Sequence, residues 1–487
     1  MKPAMISSSR RGAAILLPLV AILGGCADRE TPDSPDAAAV EVGPPDVAAL
    51  TGPALDAQLV AALDAEGFTG TIASQLASRL GRPLDHRLAR VGNLLFFDRM
   101  TGLAGDNSCS GCHAPNASYG DAESIAIGIQ NNGIVGPGRA GPRNQRRSPT
   151  IVNSAFYPTL MWNSRFRALS GDPFDNGAGF SFPAPEGGSL SHMEHLLGAQ
   201  AHIPFTERVE MAGFLFPGDN DDIRAEVLRR IDATPRYRTF FGQVFPEVKE
   251  GAPVTFEHVG AAIAEFTLTL VRADAPIDRF ARGDRRALTE AEKRGALLFL
   301  GKAGCVGCHA VSGESNEMFS DFREHVIGVP QVAPLGGNVS FDGPAEDEDF
   351  GLEQITGDPA DRYAFRSSPL RNVGLQPTFM HNGAFVRLEA AIRHHLDVEA
   401  SVAAYTSALL DADLQARLGP MQPVLDRLDP LVATPMELTD EELAWLVEFV
   451  RDGLTDPEVR PERLRHTVPG ALPSGEPPHE FQFDFGR

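Results

Sequence analysis

Residues Cys109-Ser110-Gly111-Cys112-His113 form a Cys-x-x-Cys-His motif, and Cys305-Val306-Gly307-Cys308-His309 repeats it. Two cysteines at this spacing can both add to the vinyl groups of one haem. The histidine that follows then lies under the iron as its proximal ligand. A zinc ribbon also uses paired cysteines. Here, however, the pairs are widely separated, and each carries its histidine immediately after the second cysteine. The motifs therefore predict two covalently bound haems c. Cys109 and Cys112 hold one, with His113 as its ligand. Cys305 and Cys308 hold the other, with His309.

The chain has five cysteines in all. Four belong to the motifs, so no pair remains for a structural disulfide. The fifth, Cys26, has its own explanation. Lys2, Arg10 and Arg11 make a positive start, and the apolar run 13–25 is too short to span a bilayer, as in a signal peptide. The run ends in Leu23-Gly24-Gly25-Cys26, which resembles a bacterial lipobox. The expectation is a lipoprotein signal peptide over 1–25, lipidation at Cys26, and a periplasmic or envelope location anchored to a membrane. Haem attachment outside the cytoplasm agrees with export. The formal net charge of -22 leaves no basic surface to neutralise phosphates, which argues against nucleic-acid binding.

Residues 26–52 are rich in Ala, Pro and Asp and read as a flexible tether. The segment 87–97 reads as a helix leading into the first motif. Residues 131–149, 171–191 and 335–360 are rich in Gly, Pro, Asn or Asp and read as loops. Ile223, Val227, Leu228 and Ile231 share a helical face, and 256–271 is a further apolar helix. Thr289 with Glu292, and Thr439 with Glu442, have the spacing of capping boxes that open helices. The tail from 461 is Pro-rich and is expected to wrap the surface.

The sequence also repeats around the motifs. Leu94-Leu95-Phe96-Phe97 precedes the first and Leu297-Leu298-Phe299-Leu300 the second. Downstream, Pro158-Thr159-Leu160-Met161-Trp162-Asn163 has a counterpart in Pro377-Thr378-Phe379-Met380-His381-Asn382. The fold expected is mainly α, with two cytochrome c-like haem domains related by internal duplication. Their expected extents are 53–273 and 274–460, followed by the tail 461–487. The 29 Phe, against 5 Tyr and 2 Trp, suit two apolar haem crevices.

These flanks resemble the bacterial di-haem cytochrome c peroxidases and their MauG-like relatives over roughly residues 85–455. The blocks that carry the resemblance include Leu94-Leu95-Phe96-Phe97-Asp98, Ser148-Pro149-Thr150, Met161-Trp162, Val209-Glu210-Met211 and Leu370-Arg371-Asn372-Val373. The resemblance implies a peroxidatic first haem and an electron-transfer second haem. It makes Trp162 the tryptophan that conducts electrons between them. It places Gln200, Pro204 and Glu210 in the distal pocket, with Glu210 as acid–base group and Gln200 orienting peroxide. The implied reaction is reduction of hydrogen peroxide to water, with electrons from a small cytochrome c or cupredoxin. A MauG-like oxidation of a protein partner, and a non-catalytic di-haem electron carrier, are the rival readings. A homodimer is compatible with the resemblance.

Four further expectations come from the comparison with the family pattern. Where the family usually has Met or Tyr as sixth ligand of the second haem, this chain has His395. In a helix over 386–396 it shares a face with Leu388, Ala391 and Ile392, while His394 falls on the opposite, polar side. The loop histidine that caps the first haem in many relatives is absent, and Ile129 stands in its place; Met161, His192, His195 and His202 are the remaining candidates. His381 matches a family histidine near the second haem and reads as structural. Finally, the family binds one calcium through an Asn side chain and backbone carbonyls. Gln376 and Thr378 would supply the carbonyls, and Asn144 the side chain, because Arg147 replaces the usual Asn.

Overall fold

In the computed structural model the described residues are 46–181, 190 and 193–484. Cys26, the signal segment and His192 lie outside them. Residues from Asp46 onward form one compact unit. It is mainly helical, and its strands are only two or three residues long. Among the described residues no helix is long and apolar enough to cross a membrane.

Two crossed helix pairs frame the two motifs. The His86–Phe97 helix starts at Asp85, whose carboxylate accepts from Arg87 N and Leu88 N. It crosses the Phe256–Leu268 helix at Gly92, where a Cβ would collide with Ala262 O and Phe266 Cβ. The Glu290–Leu300 helix is opened by the expected capping box: Glu292 N donates to Thr289 Oγ1 at 3.1 Å and Thr289 N to Glu292 Oε2 at 2.7 Å. It crosses the Asp440–Glu448 helix at Gly295, where a Cβ would meet Trp445 O and Phe449 Cβ. Glycine permits the same close approach at both crossings.

Aromatic rings fill each crossing. In the first, the Phe96–Phe266 and Phe96–Tyr119 centroids are 5.2 and 6.0 Å apart. In the second, Phe299–Phe449 and Phe299–Phe319 are 5.7 and 5.9 Å apart. Each fully buried Phe contributes roughly 1.5–3 kcal/mol through removal from water. The later loops also match. Asn153 and Met161 have φ of 64° and 66°, and Asn372 and Met380 have 64° and 70°.

The chain ends pack across from one helix crossing to the other. The Gly52–Ala65 helix buries Leu55, Leu59 and Leu63, spaced by four along one face. They pack with Ile277, Phe280, Leu297 and Phe449, around the second crossing rather than the first. The tail does the reverse. Leu464 and Leu472 join the cluster of Leu94–Phe97 and Phe266. The Glu480–Phe481 strand pairs in parallel with the Ile134–Val135 strand. The tail is thus built into the first core, not laid over the surface, because Leu464 and Leu472 are apolar residues that bury against it.

Candidate functional site

Each motif forms one tight turn. His113 N donates to Cys109 O, and His309 N to Cys305 O, both at 2.9 Å. None of the four motif cysteines is in a disulfide. The ring contacts then fix each imidazole. His113 Nδ1 lies 2.9 Å from Pro149 O, and His309 Nδ1 lies 3.0 Å from Phe319 O. A carbonyl can only accept, so Nδ1 carries the hydrogen and Nε2 keeps its lone pair. Metal-ligating histidines are commonly oriented in this way. Burial pulls both rings down to about 4, so they are neutral at pH 7, as a ligand must be.

A cavity of about 310 Å3 opens beside the second motif. Cys305, Cys308, His309, Phe299, Phe379 and His395 are among its lining residues. His395 lies on the Leu388–Leu396 helix and donates from Nδ1 to Ala391 O at 2.8 Å, which leaves its Nε2 lone pair too. Leu388, Ala391 and Ile392 line the same cavity. The His309 and His395 ring centroids are 6.3 Å apart. Two imidazole–metal bonds of about 2 Å each, plus the two half-rings, span this separation. The residues therefore fit an iron between them. His394 corrects one expectation: it is fully buried, not on a polar face. It donates from Nε2 to Ile327 O at 2.8 Å and accepts from Ser401 Oγ at 3.0 Å, because the next helix covers that side.

Beside the first motif, Glu210 sits in a π-helical turn, Arg208–Ala212. Asn107 couples this turn to the motif. Its Nδ2 donates to Glu210 O at 2.9 Å and lies 3.9 Å from Cys112 Sγ. Burial, followed by the Glu207 carboxylate, pushes the Glu210 carboxyl up to about 8, against the pull of Arg165. The 124–129 loop packs directly on this turn. Ile129 N donates to Val209 O at 3.1 Å, and a Cβ on Gly128 would strike Val209 O and Glu210 Cα. Gln200 ends the Leu196–Gln200 helix, and Pro204 opens the next turn, so both belong to the segment that leads into Glu210. No hydrogen bond joins the Gln200 and Glu210 side chains among the described residues.

Of the other histidines, His195 has both ring nitrogens engaged, with Leu197 N and Ala155 O, each at 3.0 Å. His202 donates from Nδ1 to Gly198 O at 3.0 Å and packs on Phe256. His381 stacks on Phe365 with centroids 3.7 Å apart and lines the second cavity.

Trp162 and Arg147 connect the two sites. Trp162 is buried, lines the second cavity, and donates from Nε1 to Arg147 O at 2.8 Å. Two residues on, Pro149 receives the His113 hydrogen bond. A short strip, 147–149, therefore touches His113 of one site and Trp162 of the other.

The residues present do not fit calcium. The Arg147 guanidinium donates to Thr378 O, and also to Gln376 Oε1 at 3.1 Å and Asp121 O at 3.2 Å. A fixed cation already holds the Thr378 carbonyl that calcium would need. Asn144 donates its N–H to Ala126 O at 2.8 Å, and its buried Oδ1 has no hydrogen-bond partner.

Sequence reading missed Asn107, Arg139 and His325. Arg139 donates to Asn107 Oδ1 at 3.3 Å and to Ile134 O at 2.8 Å, tying the loop to the motif. His325 is clamped beside Cys308 by Asp321 at 3.0 Å and Asp429 at 2.7 Å. Hydrogen bonding to Asp321 leads the causes that push it up to about 11. No spacing pattern marks these residues.

Residues 86–286 match the family described as di-haem cytochrome c peroxidase. MauG, a methylamine utilization protein of Methylorubrum extorquens, is 30% identical over 314 residues, covering 64% of this chain and 70% of that protein. Cytochrome c551 peroxidase of Pseudomonas aeruginosa is 28% identical over 321 residues, covering 66% and 75%. A crystal structure of a MauG-like protein associated with microbial copper homeostasis superposes with a TM-score of 0.56 at 25% identity, covering 78% of this chain and 92% of that one. The diheme peroxidase BthA of Burkholderia thailandensis shares the fold, with a TM-score of 0.51 at 19% identity, over 82% and 91%.

Proposed function

Because the chain belongs to the di-haem cytochrome c peroxidase and MauG family, we propose that it reduces hydrogen peroxide to water with electrons from a small cytochrome c or cupredoxin. The observation that carries this reading is the pairing of two unlike sites. One has His113 held by a backbone carbonyl, a half-buried carboxyl at Glu210 and no second histidine at the expected loop position. The other has two histidines facing across a cavity.

When bound, the two haems supply the iron centre for O–O cleavage and a store for one electron. The protein does the rest. His113 and His309 are held neutral and aimed by the Pro149 and Phe319 carbonyls. Glu210, raised to about 8 and so able both to give and to take a proton near neutral pH, relays a proton from one peroxide oxygen to the other. Gln200 holds the peroxide in line. Trp162 passes electrons from the second site towards the first. Overall, one peroxide, two electrons and two protons give two waters. His309 and His395 would together hold the second iron, a ligand pair that would lower its potential relative to Met/His ligation. A sulfur-to-iron charge-transfer band at the red end of the ferric spectrum is therefore expected to be absent.

We read the two halves as copies of one ancestral unit. Matching glycines at the helix crossings, matching aromatic triads and matching positive-φ residues support this. The first unit covers about 53–273 and the second about 274–460, with each chain end exchanged onto the other unit's core. The location is the bacterial periplasm or envelope, with lipid attachment at Cys26, on the strength of the lipobox resemblance. Self-association as a homodimer is part of the same reading.

The test is a donor screen with the holoprotein. Peroxide-dependent oxidation of a reduced small cytochrome or cupredoxin is the expected result. Turnover only with a protein partner that is itself permanently modified would favour the MauG-like reading, which the 30% identity to MauG makes the second choice.

A further inference from the structure

The cation between the two haem sites belongs to the protein. We infer that the Arg147 guanidinium is a covalently tethered replacement for a divalent cation, locking the two haem sites together without any need for metal.

Four observations carry this. First, Arg147 is buried, with only 5% of its surface exposed. A buried guanidinium persists only where acceptors meet it. Second, those acceptors come from both sides of the junction. Asp121 O lies in the segment that follows the first haem motif, while Thr378 O and Gln376 Oε1 lie in the loop that lines the second cavity. Third, these are neutral oxygens of the kind that suit a hard cation, yet a calcium ion would want six to eight of them. Fourth, the Arg147 backbone is used at the same time. Its N–H donates to His381 O at 2.9 Å, and its carbonyl accepts from Trp162 Nε1 at 2.8 Å.

One residue thus joins the 121 segment, the 376–381 loop and the bridging tryptophan. Gln376 strengthens the junction by donating from Nε2 to Ala117 O at 3.3 Å. Arg147 is a positioning residue: it acts on electron transfer through Trp162 and touches no reacting atom.

The experiment uses holoprotein carrying both haems. Thermal unfolding and the rate of electron transfer between the haems are measured with excess chelator and with excess calcium chloride. The wild type is expected to give the same values in both. Arg147→Asn returns an oxygen ligand in place of the guanidinium. It is expected to unfold roughly 5 °C lower in chelator and to recover with calcium. Arg147→Lys keeps the charge but loses the fork, so it falls between the two without calcium rescue. Electron transfer should slow in Arg147→Asn with chelator while the spectra of both haems stay unchanged. A wild type that loses stability or electron transfer on chelation overturns the inference. So does an Arg147→Lys or Arg147→Asn protein that matches the wild type in chelator. Should Arg147→Asn fail to fold, the wild-type comparison and Arg147→Lys still decide the question.

Discussion

Glu210 is a carboxyl held where its charge is costly, with its turn pinned to the first motif by Asn107. If it moves the proton between the peroxide oxygens, Glu210→Gln should cut turnover roughly 100- to 10,000-fold. The optical spectra of both haems should not change, because Gln keeps the shape and the backbone contacts. Near-normal turnover would remove Glu210 from the mechanism. Much at this scale was legible in the sequence. The two Cys-x-x-Cys-His motifs stand out because each is contiguous, and helical periodicity put His395 on the face of Leu388, Ala391 and Ile392, which line the same cavity. The roles of Asn107, Arg147 and His325 were not legible. They depend on partners at Glu210, Thr378 and Asp429, which are far away in the chain. His394 was misread for the same reason, since periodicity reports a helix face but not what covers it.

The elements that position both sites are two helix crossings, each pinched at a glycine. Gly92→Ala would drive a methyl into Ala262 O and Phe266 Cβ, and Gly295→Ala into Trp445 O and Phe449 Cβ. Overpacking of this kind costs about 1–3 kcal/mol, which corresponds to a loss of roughly 2–10 °C in Tm. The two losses should add in the double variant, since the crossings share no contact. Gly470→Ala, where nothing lies within 4 Å, is the control and should leave Tm unchanged. A tolerated alanine at either crossing would show that the helices can part and that the shared geometry does not constrain the fold. The capping boxes at Thr289 and Thr439 and the repeated Leu-Leu-Phe stretches made these helices readable in advance. Which helix crosses which was not readable, because a long-range contact leaves no local periodicity.

At the scale of the whole molecule, the chain ends act as straps. The N-terminal helix serves the second core and the tail serves the first. The tail also holds the loop beside the first haem motif. Glu480 N donates to Gly133 O at 3.0 Å, Gln482 N to Val135 O at 2.9 Å, and Gln482 O accepts from Asn116 Nδ2 at 2.7 Å. His479 is buried there, with Nδ1 donating to Gly133 O at 3.3 Å and no partner for Nε2. Burial, then Arg139, pulls its ring down to about 3. An unfolded histidine titrates near 6.5. The folded value is the lower one, so this contribution to stability is intact above about pH 6.5 and is lost as pH falls towards 3. Limited proteolysis should therefore free the tail more readily at pH 4 than at pH 7, and His479→Gln should weaken that dependence. Equal tail release by wild type and variant across the range would assign the acid sensitivity elsewhere. A strapped 120–145 loop with Ile129 in place of a capping histidine has no reason to move before peroxide binds. That makes the resting state of the first iron the point on which the account turns. The direct measurement is electron paramagnetic resonance of the fully oxidised holoprotein, before and after peroxide, with no reductant added. The expected result is one high-spin ferric signal that disappears on peroxide addition, beside one low-spin signal from the second site. Two low-spin signals, with no reaction until one haem is reduced, would contradict it.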